Sequence, residues 1–205
     1  MGFFDMFRRK PPIRDSAALA DFIDANAAFV TQKGIYEYAR ARAGHYAKVL
    51  LSEQGFQDAA EAARWRAYPL GLGMVAEIVD NVLHRGRGVE RLGGLQKLRE
   101  IVLDVFDRYP PPAALDTQSW RDSRAELVRR LDQLGLHPPK RAIDIPETYI
   151  QPYFDAMPIY EKLKKTDFHT THSYLKVVLC NVHADLENRI DLPALEREQT
   201  MTAAT

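Results

Sequence analysis

The stretch 167-DFHTTHSYLKVVLCNVHADLENRI-190 decides the fold. Leu175, Val178, Leu179, Val182, Leu186 and Ile190 recur at three- and four-residue steps, which places them on one face of a 3.6-residue helix. The spacing predicts one long amphipathic helix capped by Asp167. Three of the six histidines (His169, His172 and His183) and the only cysteine, Cys180, lie beside that apolar stripe.

Upstream, the same periodicity recurs. Glu90–Tyr109 carries Leu95, Leu98, Ile101, Val102, Val105, Phe106 and Tyr109 on one side, with Lys97, Glu100, Asp104 and Asp107 opposite. Pro110-Pro111-Pro112 ends it. Thr117–Leu134 follows, packing Trp120, Leu127, Leu131 and Leu134, and stops at Gly135 before Pro138-Pro139. Nearer the start, Asp15 caps a helix predicted to end near Gly34, and a second runs from Ile35 to Gly55. A third begins near Phe56, and Pro69 with Gly71 and Gly73 is expected to break or kink it. Lys140–Pro146 is a connector and the one place where a short strand is considered. Pro146 then opens a helix that Pro152 and Pro158 divide.

About seven helices joined by short loops predict an all-α, single-domain helical bundle. Its expected parts are an amphipathic arm over residues 1–12, the body over 13–195, and a disordered tail over 196–205. At 205 residues the chain has room for one sizeable core. Lys plus Arg equals Asp plus Glu at 28 each, so the basic excess of a nucleic-acid binder is missing. A single cysteine forms no intrachain disulfide and suits a reducing compartment. No run of about 18 uncharged apolar residues is present to span a bilayer. These features predict a cytoplasmic protein.

Four groups of residues carry functional expectations. In the arm, Phe3, Phe4, Met6 and Phe7 gather on one side of a short helix, ahead of Arg8, Arg9 and Lys10. Asp5 and the trailing basic residues do not suit a signal peptide, and no Ser or Thr completes a myristoylation site. Apolar residues followed by cations suit the anionic inner face of a membrane. The alternative is an arm packed on its own body or across a homodimer.

Tyr149, Tyr153, Phe154, Met157 and Tyr160 carry more aromatic and thioether surface than a small bundle needs. They fit a groove for a protein partner or a homodimer contact, and equally a core between short helices.

Glu77, Asp80, Asn81 and His84 share one helical face at i, i+3, i+4 and i+7. Carboxylate and imidazole donors suit Zn, Mn or Fe, and His169 with His172, one turn apart, could complete a divalent transition-metal site. His183 lies about 16 Å farther along the helix at 1.5 Å per residue. The plainer reading puts the row in water, since Val75, Ile78, Val79 and Val82 sit opposite. The Glu-x-x-His pairs of di-iron bundles are absent.

Cys180 with His183 has the spacing of a thiol dyad, but a mid-helix cysteine between Leu179 and Val182 reads as a small core hydrophobe. Arg85, Arg87 and Arg91 surround a glycine-rich turn that reads as a solvated loop. Arg121, Arg124, Arg129, Arg130, Lys140 and Arg141 cluster without the partner helix of a DNA reader, and no P-loop, G-x-G-x-x-G, H-E-x-x-H or G-x-S-x-G occurs. The leading expectation is therefore a non-enzymatic interaction or adaptor module, peripheral to a membrane through its arm. A metal-dependent helical-bundle enzyme using the Glu/Asp/His row is the alternative.

Overall fold

A computed structural model describes residues 10–85, 91–158 and 161–203. The chain is an all-α bundle. Its helices are α1 (Ser16–Ala43), α2 (Ala47–Ser52), α3 (Gln54–His84), α4 (Arg91–Asp107), α5 (Thr117–Gln133), α6 (Ile150–Ala156), α7 (Glu161–Arg189) and α8 (Leu192–Ala203). No strand occurs among the described residues. The expected strand in the 140–146 connector is a turn leading into a 3₁₀ segment, Ile145–Thr148. The one β-type contact among the described residues is an isolated parallel bridge between Ile13 and Ile190. No described helix is long and apolar enough to cross a membrane.

The long central helix α3 touches α1, α4, α5, α6 and α7, and residues 67–81 of it are buried without interruption. A helix buried all round must be small or apolar on every side, which is how AYPLGLGMVA reads. Pro69 sits inside it without ending it. Gly71 and Gly73 work as contact points: a Cβ at Gly71 would stand 2.8 Å from the Ala27 carbonyl oxygen on α1, and one at Gly73 2.9 Å from the Tyr149 hydroxyl.

Three further boundaries differ from the sequence expectation. Gly34 does not stop a helix; α1 runs through it for 28 residues, because the missing Cβ makes room for the Tyr153 hydroxyl. Asp167 is no cap, since α7 begins at Glu161 and buries Asp167 within it. The expected disordered tail is largely helix: α8 reaches Ala203, and Glu198 accepts hydrogen bonds from the Ser16 amide (2.9 Å) and hydroxyl (2.8 Å) at the start of α1.

Where α3, α4 and α5 meet, Phe106 stacks on Trp120 at 4.3 Å, with Trp65, Tyr68 and Tyr109 edge-on around them. The Tyr68 and Tyr109 hydroxyls donate to Asp24 at 2.7 and 2.9 Å. Burial, reinforced by that carboxylate, pushes both phenols up from their ordinary value, so they remain donors.

Candidate functional site

The aromatic segment faces inward. Tyr149, Tyr153, Phe154 and Met157 are 0–5 % exposed, and Tyr149, Tyr153 and Met157 belong to the main hydrophobic core. Tyr160 lies outside the described residues. So do Phe3, Phe4, Met6, Phe7, Arg8 and Arg9. Lys10, at the edge of the arm, is exposed and pairs with Asp185 at 3.0 Å.

The Glu77/Asp80/Asn81/His84 row is buried, against the plainer expectation of a wet face. Each acid in it already has a cation. Arg91 grips Asp80 with two hydrogen bonds, Nε to Oδ1 at 3.0 Å and Nη2 to Oδ2 at 2.6 Å. The same guanidinium donates to the carbonyls of Leu134 and His137. His84 Nδ1 stands 3.1 Å from Asp80 Oδ1. Burial alone would raise the Asp80 pKa, but the bonds from His84 and Arg91 outweigh it and hold the carboxyl below the usual range. One turn earlier, Lys140 Nζ lies 2.8 Å from Glu77 Oε2, and the Tyr149 hydroxyl also hydrogen-bonds to Glu77. Asn81 donates to the Lys140 carbonyl at 2.9 Å, and its Oδ1 stands 3.1 Å from His183 Nε2 on α7.

This donor set does not fit a metal. Its carboxylates are neutralised by Arg91 and Lys140, His169 is exposed, and His172 Nε2 is paired with Glu147 at 3.0 Å. Among the described residues, no group of three or more His, Cys, Asp or Glu side chains could hold an ion. The row instead ties α3 to the start of α4 and to the connection after α5. Arg91 is a buried strut in it, where the sequence reading placed a solvated loop.

Other expected sites resolve similarly. Of the basic cluster, Arg124 pairs with Asp107, Arg129 and Arg130 share Glu126, and Arg141 pairs with Asp144. Cys180 is exposed, not a core hydrophobe. We expect it to react with Ellman's reagent in the native protein, since the thiolate needs only access to the reagent; reaction only after denaturant would contradict this placement.

A site the sequence reading missed lies between α1 and α7. Gly34, Glu37, Tyr38 and Ala41 line one wall of a cavity of about 620 Å³, and Asp167, Thr170, Thr171 and Tyr174 line the other; Met157 lines it too. Both sets have the i, i+3, i+4, i+7 spacing that builds one helical face. On α7 the polar face continues the core stripe backwards, so that Asp167 and Thr171 occupy interior positions and are 2 and 3 % exposed. The Tyr38 hydroxyl donates to the Asp167 carboxylate across the cavity wall. The Thr171 and Tyr174 hydroxyl oxygens are buried without a hydrogen-bond partner among the described residues. Burial, with the charge of Glu37 adding to it, pushes the Tyr174 phenol up to about 12, so it stays neutral at ordinary pH.

The signal that could have found this site is the pair of buried polar residues where the α7 stripe calls for apolar ones. No protein family, curated protein or solved structure matches this chain.

Proposed function

We propose that this chain is a non-enzymatic α-helical binding module that receives a small polar ligand in the cavity between α1 and α7. This keeps the interaction module expected from the sequence and moves its contact face from the aromatic segment to the Gly34–Ala41 and Asp167–Tyr174 walls. One observation carries the reading: Thr171 and Tyr174, at the cavity wall, hold buried hydroxyls that no described residue satisfies. An unsatisfied buried hydroxyl costs about 1–3 kcal/mol, and native interiors rarely leave one without a partner. A ligand group at this wall removes that cost. The volume supports the reading too, because small-molecule pockets run from about 300 to 1,000 Å³.

The test is a methyl NMR screen of the full chain against soluble fragments of positive, neutral and negative charge. The chain has five methionines, and Met157 lines the cavity. Saturable shifts at the Met157 and Thr171 methyls are the expected result. Hits confined to the separate groove beside Pro11, Phe22 and Phe29, or no saturable hit, would count against it.

A further inference from the structure

We propose that the ligand of this cavity is a small organic cation: a primary ammonium on an apolar or aromatic body. The inference rests on the α1–α7 cavity being the binding site, and it follows from the hydrogen-bonding inventory of the walls. Glu37 and Asp167 are carboxylates and only accept when ionised. The Tyr38 hydroxyl spends its proton on Asp167, which leaves its oxygen as an acceptor. Thr171 and Tyr174 have oxygens without a partner. Among the described residues, no Lys, Arg or His lines the cavity.

A wall of acceptors calls for a ligand rich in donors, and an alkylammonium brings three. Charge decides between an ammonium and a neutral donor. Among the described residues, Glu37 has one nearby cation, Arg40, at 3.9 Å on the exposed side, a separation too long for a strong ion pair. Its carboxylate therefore still favours a second cation. The rings of Tyr38 and Tyr174 offer aromatic surface to the ligand's body and a π system to its charge. A carboxylate or phosphate ligand would meet Glu37 as a like charge.

The test is calorimetric titration of the full chain with three probes of one shape: 2-phenylethylamine, 2-phenylethanol and 3-phenylpropanoate. The amine should bind saturably and the alcohol at least about tenfold more weakly, as expected when a charge-assisted bond is replaced by a neutral one. The propanoate should give no binding heat. Glu37→Gln, an exposed change on α1, should weaken the amine about tenfold and leave the alcohol unchanged. Thr171→Val should weaken both while keeping the protein folded, since it deletes a hydroxyl without a partner.

Propanoate binding as tight as amine binding, or amine binding indifferent to Glu37→Gln, overturns the cation. The cavity reading then survives wherever Met157 still shifts. Silence from all three probes, with other fragments shifting Met157, also overturns the cation alone. Silence from every fragment overturns both.

Discussion

Arg91→Met should lower stability at pH 7 by about 3–5 kcal/mol, the usual cost of removing one partner from a buried ion pair. The side chain of Asp80 is 2 % exposed, so its carboxylate cannot turn to water when the guanidinium is gone. The carbonyls of Leu134 and His137 lose their donor in the same stroke. For a chain of this length the change corresponds to a melting temperature lower by about 10 °C. Arg91→Met with Asp80→Leu should lose less than Arg91→Met alone, because the double variant leaves no uncompensated buried charge.

The pH dependence has a definite sign. Asp80 is held below its ordinary value in the folded state, so its pairing contributes fully above the unfolded carboxyl's range. That contribution is lost as pH falls through the lower, folded value. In Arg91→Met, burial is the larger influence on that carboxyl, which then takes up a proton more readily. Wild type and variant should therefore converge as pH falls below about 4. Urea unfolding at pH 7 and at the acid end of the folded range checks both statements. A loss under about 1 kcal/mol at pH 7, or a gap that widens in acid, would sink the argument.

Helices whose polar and apolar faces match water and core were legible from sequence. In α4, Leu95, Leu98, Ile101, Val102, Val105 and Phe106 are all buried as their spacing required, and in α5 so are Trp120, Leu127 and Leu131. The errors fall where one residue's environment is set by another far along the chain. The Glu77–His84 row read as a wet face because Arg91 and Lys140, which let carboxylates stay in the interior, arrive from 11 and 63 residues away. Cys180 failed the other way. Its apolar neighbours Leu179 and Val182 are core, while Cys180 turns outward. Each wall of the cavity is a visible helical face, but Tyr38 and Asp167 are 129 residues apart, and only the packing of α1 on α7 makes them one site.

Gly34→Ala sets a local rule directly against a distant one. Alanine is favoured over glycine in a helix interior by about 1 kcal/mol, and Gly34 lies well inside α1. If local propensity ruled, the substitution would stabilise. The new Cβ, however, lands on the Tyr153 hydroxyl and comes within 3.2 Å of Tyr174 Cε1. Tyr153 is fully buried and donates to the Val30 carbonyl at 2.8 Å, so its ring has nowhere to swing. Overpacking costs about 1–3 kcal/mol, and a buried hydroxyl forced off its acceptor about 1–3 more. The distant contact wins, and we expect a net loss of about 1–5 kcal/mol once the helical gain is subtracted. Gly93→Ala, at an exposed position of α4 where a Cβ meets nothing within 4 Å, should instead gain up to about 0.5 kcal/mol. Adding Tyr153→Phe to Gly34→Ala removes the atom struck and should recover about half the loss, although Tyr153→Phe alone costs about 1 kcal/mol. That reversal of sign is the diagnostic result. A neutral Gly34→Ala would mean that Tyr153 does not press against α1 there. The rescued double variant would still carry a methyl against Tyr174, so its amine affinity reports on the cavity separately from the stability of the core.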